Sequence, residues 1–385
     1  MYYIGTLSIQ KPHLQNILKM KKIKVLHIMP SYAIGGINRY VIDLCSAVKS
    51  YASMEQGIYV LNAAPASWKT LVEHLDLPVY EGDFKGMDLK IKKYANFKKV
   101  EKEYDIIHWH TSAPLVMLSC ARDGKRHIFT HHSVLGVGRK VGRLSWLKWF
   151  LFKSVIKSFF AAQVFNSKYT RHFWKTAGVH TPLDVTIYNG IIPRTHETNT
   201  PAMLKDAPFI IGTACSFIAL KRVDLLIDVF ASFTGKYHDA QLLLVGDGQE
   251  RVALEKRVGE LGLNDHVVFT GFQDDVWPHL LAMDVFVSSS TTETFGLAAL
   301  EAMSLGCPAL CFHDGGGITE VMKSEDVMSS VKDMVCRLEY FYDQKKKSGS
   351  CRDSSYSAIA EKYTMTATAE RQINLYKQVT GVDRV

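Results

Sequence analysis

Short apolar segments alternate with amphipathic segments along this chain, and the alternation occurs twice. The strand-like segments of the first half are residues 23–29, 58–61, 106–109, 127–130, 162–165 and 185–190. Those of the second half are residues 209–216, 240–246, 267–271, 285–290 and 307–312. Helical patterns separate most of them. Strands that alternate with helices predict parallel sheets covered by helices on both faces, which is the α/β class.

A polar segment with three prolines, PRTHETNTPAMLKDAP at residues 193–208, interrupts the alternation and is predicted to be a linker. With 385 residues the chain is long enough for two domains. We predict two Rossmann-like domains, at residues 20–192 and 209–360, that face a central cleft. Ligands bind such folds at the carboxyl ends of the strands. Residues 361–385 are predicted to form a helix that crosses back to the first domain.

The beginning of the sequence and its cysteines indicate a cytoplasmic protein. Met20 is followed directly by KKIKVLHIM, so residues 1–19 are a candidate translation-start extension. No cationic region precedes their apolar residues, and no signal peptide is predicted. The seven cysteines form no CxxC pair, which favours a reducing compartment. No run of 18 uncharged apolar residues predicts a transmembrane helix.

Charge is distributed unevenly, which predicts different partners for the two halves. Residues 1–192 carry 27 Lys and Arg against 12 Asp and Glu, whereas the remainder carries 19 against 26. Residues 139–160 mix cations with large apolar side chains, a pattern typical of helices that lie on anionic membranes. The candidate membrane or acceptor contacts are Arg139, Lys140, Arg143, Trp146, Lys148, Trp149, Lys153 and Lys157. The alternatives are a solvated basic face and nucleic-acid binding, and no motif supports nucleic acid.

Two carboxylates stand in an otherwise uncharged segment, TTETFGLAALEAMSLGCPAL at residues 291–310. Glu293 lies between a predicted strand and a predicted helix, and Glu301 lies eight residues further on. The first amides of that helix, at Phe295, Gly296 and Leu297, suit a phosphate. The glutamates suit hydroxyl groups on either side of it. Together they point to a nucleotide sugar, whereas helix capping and surface exposure are the alternatives for the two glutamates.

These motifs resemble the retaining GT-B glycosyltransferases of family 4 over roughly residues 22–377. The glutamate spacing carries the resemblance, together with other segments in the same order. These segments are GG at 35–36, FTHHS at 129–133, NSKYT at 166–170, IYNGI at 187–191, LKRVDLLIDVF, LLLVGDGQER, VVFTGF and the final EKYT…INLYK.

The resemblance implies a role for each matching residue. Glu293 contacts hydroxyls of the donor sugar, Glu301 holds the ribose, and Lys221 neutralises the diphosphate. His132 lies near the donor sugar, with His131 a less favoured alternative. The remaining implied donor-binding positions are Gly35 and Gly36 near the reaction centre, the amides of Phe295, Gly296 and Leu297, and Phe272 beside the base.

The sequence also departs from the family pattern. The family usually has an arginine five residues before its lysine, where this chain has Ser216. One phosphate cation is therefore missing, or Arg222 compensates for it. The segment after GGGITEVM is shortened, and Glu320 within that motif is predicted to be structural rather than catalytic.

No metal or cofactor is predicted, apart from a UDP- or GDP-linked sugar as co-substrate. Asp274 and Asp275 are adjacent at a helix start and do not form a credible metal motif. His108 and His110 alternate at the end of a strand, but no third ligand is apparent, so packing is the predicted role. No GxGxxG follows the first strand, which argues against a dehydrogenase.

The predicted function is that of a metal-independent, hexosyltransferase-type glycosyltransferase of class EC 2.4 that retains configuration. Its expected acceptor is a lipid-linked saccharide at the inner face of the cytoplasmic membrane, where the protein is peripheral. The expected context is bacterial surface polysaccharide: lipopolysaccharide O-antigen, capsule or exopolysaccharide. A nucleotide-sugar 2-epimerase of the same fold and a catalytically silent sugar-nucleotide-binding subunit remain as alternatives.

Overall fold

The structure is a computed structural model of the chain. It describes residues 22–33, 35–63, 69–84, 91–121, 126–134, 143–194 and 209–382. The candidate start extension lies outside these residues, and so does the predicted linker from residue 195 onward.

Strands and helices alternate in the described residues as the sequence predicts. The strands are β1 (Ile23–Ser31), β2 (Met54–Asn62), β3 (Val79–Glu81), β4 (Ile106–Trp109), β5 (Arg126–His131), β6 (Phe160–Phe165), β7 (Leu183–Thr186), β8 (Phe209–Ala214), β9 (Ala240–Val245), β10 (Val267–Gly271), β11 (Val285–Ser288), β12 (Ala309–Phe312) and β13 (Val327–Met328). The helices are α1 (Gly36–Val48), α2 (Lys69–Glu73), α3 (Ile91–Glu101), α4 (Pro114–Ala121), α5 (Arg143–Phe159), α6 (Lys168–Thr176), α7 (Val223–Thr234), α8 (Arg251–Glu260), α9 (Trp277–Ala282), α10 (Leu297–Ser304), α11 (Val331–Ser348), α12 (Ser354–Ala360) and α13 (Met365–Thr380).

The strands form two parallel sheets. The first has the order β3-β2-β1-β4-β5-β6-β7, and the second has the order β10-β9-β8-β11-β12-β13. In each sheet the first strand along the chain, β1 or β8, lies inside the sheet, and later strands are added on both of its sides. This is the doubly wound arrangement of Rossmann-like folds. The predicted α/β class and the two Rossmann-like sheets are confirmed.

Burial explains why the strands are continuous apolar runs rather than alternating ones. Leu242, Leu243 and Leu244 follow one another along β9, and all three are fully buried. Successive side chains of a strand point to opposite faces, so both faces of this sheet are covered. The phenylalanines of α7, Phe230 and Phe233, pack into the same core.

The described chain divides into two compact units. The first contains the described residues up to Ile128 and from Ile373 onward, and the second contains the described residues between Phe129 and Gln372. The last turns of α13 therefore belong to the first unit, where the Tyr376 hydroxyl lies 2.7 Å from His108 Nδ1. The domain boundaries proposed from the sequence stay a prediction.

One loop expectation is wrong. KKKSGS at residues 345–350 looks like a mobile surface loop in the sequence, but α11 continues through its lysines to Ser348. Lys345 Nζ lies 2.6 Å from Asp284 Oδ2, and Lys346 Nζ lies 3.0 Å from Asp239 Oδ2. Cations in the last turn of a helix are also favoured by its dipole. The helix ends where Gly349 adopts a left-handed conformation.

Candidate functional site

The segment that carries the two glutamates begins at the carboxyl end of β11. Ser289 and Ser290 follow the strand and are buried, and α10 starts at Leu297 after a short loop. Gly296 precedes the helix with φ 91°, a left-handed conformation that favours glycine. A Cβ there would also lie 2.6 Å from Ile318 Cγ1. The local chain therefore needs glycine at this position for two independent reasons.

The Glu293 backbone is fastened to a glycine segment, residues 315–317. Its N–H donates to the Gly315 carbonyl over 2.9 Å, and its carbonyl accepts from the Gly317 N–H over 2.7 Å. A Cβ on Gly317 would lie 2.1 Å from the Thr294 carbonyl oxygen, so the close approach requires glycine. These contacts fix the position from which the Glu293 side chain extends.

The Glu293 carboxylate is paired with Lys221. Lys221 Nζ donates to Glu293 Oε1, and Ser290 Oγ donates to the same oxygen over 3.1 Å. Both side chains are about four-fifths covered, with 22% and 21% exposed. A carboxylate covered to this degree needs a partner, because an unpaired buried charge costs several kcal/mol. A cation that can contact a negative group and a carboxylate that can accept hydrogen bonds from hydroxyls therefore lie side by side.

Lys221 is held from its own side of the site. It ends a short 3₁₀ helix, Ala219–Lys221, between β8 and α7. Its carbonyl accepts a hydrogen bond from Ser289 Oγ over 2.8 Å. The Thr291 N–H donates to the Leu220 carbonyl over 3.1 Å. The two loops therefore fix each other, and with them the lysine and the glutamate.

Arg222 is anchored as well. Its φ of 45° is left-handed, which is rare outside glycine. Its Nε donates to the Ser289 carbonyl over 2.7 Å, and its Nη2 lies 2.7 Å from Asp314 Oδ1. The guanidinium thus already has a carboxylate and a carbonyl as partners. Ser216 is exposed and offers a hydroxyl where the family has a second cation.

The two adjacent histidines have different surroundings. His131 is buried, stacks on Phe165 and lies 2.6 Å from Gln163 Oε1, which makes it part of the core. His132 is half-buried, and its carbonyl accepts from Thr294 Oγ1 over 3.1 Å, next to Glu293. Burial lowers the pKa of His132 to about 3, so its imidazole is neutral at pH 7. A neutral imidazole can accept or donate a hydrogen bond there.

Three other predicted site residues lie in the second unit and differ in exposure. The Phe295 side chain is buried between Tyr188 and Tyr363, so only its backbone can face a ligand. Glu301 is half-buried in α10, and Phe272 follows β10 with half of its surface exposed.

Gly35 and Gly36 lie in the first unit, where they are exposed at the beginning of α1.

Glu320 is a structural acceptor. Its Oε2 accepts from the Lys168 N–H over 3.0 Å and from the Tyr188 hydroxyl over 2.8 Å. Its Oε1 accepts from the Tyr169 N–H over 2.6 Å. Two of these are the first amides of α6, which otherwise have no partner within the helix. These contacts agree with the structural role expected from the sequence.

Comparison with known proteins gives two family matches. Residues 34–194 match the description "Glycosyltransferase Family 4", and residues 199–356 match "Glycosyl transferases group 1". The two matches lie one after the other and together span most of the chain, which therefore resembles the family 4 glycosyltransferases in both halves.

Individual relatives support the same assignment. The lipopolysaccharide core biosynthesis glycosyltransferase LpsE of Rhizobium meliloti is 39% identical over 120 residues, which are 31% of this chain and 33% of LpsE. The O-antigen biosynthesis glycosyltransferase WclY of Escherichia coli is 28% identical over 234 residues, which are 57% of this chain and 64% of WclY. The matches thus span about one third to two thirds of these relatives' lengths.

A solved structure shows the same fold. Anabaena HepE, crystallised with UDP-glucose, superposes with a TM-score of 0.76 at 20% identity. The match covers 92% of this chain and all of the HepE chain. The GT-B fold expected from the sequence is therefore confirmed.

Helix α5 divides its apolar residues between core and surface. Phe152, Val155 and Ile156 are buried, and Trp149 is half-buried against Trp174. On the other side, Phe150 is 55% exposed and Lys157 is exposed. Lys153 Nζ donates to the Ala177 carbonyl over 2.8 Å, so part of its charge is used within the fold.

The remaining candidate membrane contacts cannot be placed. Arg139 and Lys140 lie outside the described residues, and so do the side chains of Arg143, Trp146 and Lys148. Among the described residues, no helix combines the length and apolarity needed to cross a bilayer.

Sequence reasoning missed several residues that hold the site. Asn166 Nδ2 donates to Thr294 Oγ1 over 3.1 Å, and Ser290 holds the Glu293 carboxylate. Asp314 holds Arg222. Asn166 opens the NSKYT motif, so its position was noticed while its contact was not. Nothing in the sequence distinguishes Asp314 from a surface acid.

Proposed function

We propose that this chain is a glycosyltransferase of the family 4 type that moves a sugar from a UDP- or GDP-linked donor to a saccharide acceptor with retention of configuration. The observation that carries the proposal is the Lys221–Glu293 pair beside the first turn of α10. It supplies a cation and helix amides for a diphosphate, and a carboxylate for sugar hydroxyls. Donor binding exchanges the internal ion pair for contacts with both parts of the donor.

The proposed catalysis is electrostatic. Negative charge develops on the diphosphate as the anomeric C–O bond breaks, and Lys221 and the α10 amides face that charge. Loss of one preorganised contact of this kind typically costs about 10²–10³-fold in rate. Glu301 holds the ribose, Phe272 lies beside the base, and His132 contacts the donor sugar as a neutral imidazole.

Front-face attack accounts for retention in this proposal. The acceptor hydroxyl attacks the anomeric carbon from the side on which the diphosphate leaves. A departing phosphate oxygen takes the hydroxyl proton, so the reaction needs no covalent nucleophile. No metal is required for this step, because Lys221 and the helix amides carry out the charge stabilisation.

The proposed acceptor is a lipid-linked saccharide used for bacterial surface polysaccharide, at the inner face of the cytoplasmic membrane. Two observations support it: the basic first half of the chain, and the functions named for LpsE and WclY. Under this proposal the protein is cytoplasmic and peripheral, and α5 contributes contacts to anionic headgroups through residues such as Lys157 and Phe150.

The test follows both substrates by mass spectrometry. Purified protein is incubated with UDP- and GDP-sugars, with and without an extract of undecaprenyl-linked saccharides, in the presence of EDTA. We expect nucleoside diphosphate release that requires the acceptor and falls at least 100-fold in Glu293→Gln. Glu325→Gln is the matched control, because Glu325 is an exposed acid of the same unit and loses the same charge.

Each alternative predicts a different result. Conversion of the donor to its 2-epimer without an acceptor would identify an epimerase. Tight donor binding with no turnover across the panel would identify a silent binding subunit. Transfer to a soluble acceptor alone would retain the transferase and reject the lipid-linked substrate.

A further inference from the structure

Three histidine side chains meet in the first unit. His108 and His110 lie at the end of β4, two residues apart and therefore on one face of the sheet. The parallel register of β1 and β4 places His27 directly opposite His108. A third imidazole, which is not apparent from the sequence, therefore lies beside the β4 pair, and the packing role expected for that pair stays a prediction. The third imidazole comes from a strand some 80 residues away in sequence, which spacing alone does not reveal.

The three rings are close enough to share one guest. His27 Nδ1 lies 3.1 Å from His110 Nε2, and the ring centroids of His108 and His110 are 4.1 Å apart. One ring nitrogen from each histidine lies within 4.8 Å of those of the other two. Two imidazole nitrogens bound at about 2.05 Å to a tetrahedral zinc ion are about 3.3 Å apart. The first separation already fits, and the others need to close by at most about 1.5 Å.

The surroundings of the cluster are dry and fix the orientation of one ring. All three side chains are buried. The Tyr376 hydroxyl lies 2.7 Å from His108 Nδ1. Metal-bound histidines usually have such an outer hydrogen-bond partner, which fixes the ring and leaves the other nitrogen for the metal.

We propose that His27, His108 and His110 form a site for one divalent transition-metal ion, with Tyr376 positioning His108. Three imidazoles suit Zn²⁺ and, in the laboratory, Co²⁺, whereas Mg²⁺ and Ca²⁺ prefer oxygen ligands. The site is structural: the ion links β1 to β4 and, through Tyr376, the end of α13 to the first sheet. It uses none of the residues proposed for the donor and does not rest on the proposed transferase activity.

The experiment measures metal content without substrate. The full chain is expressed in minimal medium with added Zn²⁺, because a fully buried cluster captures metal most readily as the sheet forms. After a wash with EDTA, inductively coupled plasma mass spectrometry counts the zinc. We expect about one zinc per wild-type chain, at least tenfold less in His27→Gln and in His110→Gln, and no change in His180→Gln, an exposed control. Tyr376→Phe retains the three ligands, and we expect its zinc affinity to fall 10–100-fold.

A second measurement covers the case in which the histidine variants do not fold. Wild-type crystals grown from the zinc-supplemented protein are measured at the zinc absorption edge. An anomalous peak within about 2.3 Å of one nitrogen from each of the three rings supports the proposal. Wild-type protein without zinc, or zinc found only at exposed histidines such as His180 and His238, would overturn it and leave a metal-free hydrogen-bonded cluster.

Discussion

The side chain that most defines the proposed donor site is Glu293, and its charge is balanced by Lys221. Each partner protects the other from the cost of a buried charge in the ligand-free chain. The same two groups are those proposed to face the sugar and the diphosphate. Stability and function therefore depend on one ion pair in different ways, and the two dependences can be separated by mutation.

We expect Lys221→Met to lower the free energy of unfolding by about 2–3 kcal/mol, because it leaves the Glu293 carboxylate largely covered and without its cation. The double variant Lys221→Met/Glu293→Gln removes both charges and should recover at least half of that loss. Neither variant should regain transfer, because the diphosphate still lacks its cation. Urea unfolding of the two single variants and the double variant measures the coupling.

An exposed ion pair provides the control for this cycle. Lys236 Nζ and Glu339 Oε1 are 3.2 Å apart, and the lysine is 65% exposed. Solvent screening should keep the coupling energy of this pair well below that of the Lys221–Glu293 pair. Equal coupling energies for the two pairs would contradict the idea that burial makes the Lys221–Glu293 pair special.

At the residue scale, the sequence predicts the charged residues of the site but not the hydrogen bonds that hold them in position. Glu293 and Lys221 each stand at a strand–helix junction, where sequence pattern and family resemblance agree. The Thr294 hydroxyl, however, donates to a carbonyl 162 positions earlier in the sequence, at His132. Contacts of this kind depend on how separate segments pack, and a single sequence contains no local signal for them.

At the scale of an element, the start of α10 depends on Gly296. The left-handed backbone there turns the chain from the Glu293 loop into the helix, and Ile318 fills the space beside it. The amides proposed to bind phosphate are therefore positioned by a residue that has no side chain of its own.

We expect Gly296→Ala to lower the free energy of unfolding by about 3 kcal/mol. About 1–2 kcal/mol comes from the positive φ, and the rest comes from the contact with Ile318. Gly349→Ala is the matched control, because φ is 79° there and a Cβ meets nothing within 4 Å. Gly349→Ala should lower the free energy of unfolding only by the part that comes from the positive φ. Equal losses measured by urea unfolding would show that the Ile318 contact carries no cost, and donor affinity should fall only in Gly296→Ala.

Elements with long apolar patterns were predicted well from the sequence, and short or charged ones were not. The expected strand at residues 240–246 and the observed β9 nearly coincide, since both faces of that strand are buried. The three residues of β3 are partly exposed and gave no pattern to detect. The lysines at the end of α11 have the composition of a surface loop. Their partners, Asp284 and Asp239, are distant in sequence, so composition gives no sign of these ion pairs.

At the scale of the whole molecule, the balance of basic and acidic residues distinguishes the two halves of the sequence. Residues 124–183 contain 11 Lys and Arg and no Asp or Glu. Within this basic segment, α5 exposes the side chains of Phe150 and Lys157. Alternation along the chain predicted the architecture, whereas charge suggests which half approaches an anionic surface.

If that suggestion is right, association with vesicles should depend on lipid charge, on salt and on this basic segment. We expect binding to vesicles with 30% anionic lipid at 50 mM salt, at least tenfold weaker binding at 300 mM, and little binding to zwitterionic vesicles. Lys157→Glu changes the local charge by two units at about 1 kcal/mol each, so its affinity should fall roughly 10–30-fold. Lys332→Glu makes the same change at an exposed lysine of the acidic half and should have little effect. Co-sedimentation measures the three vesicle conditions and the two variants. Equal losses of vesicle affinity in the two variants would show that the attraction depends on net charge rather than on α5. Binding to zwitterionic vesicles at high salt would show that apolar insertion, and not charge, drives the association.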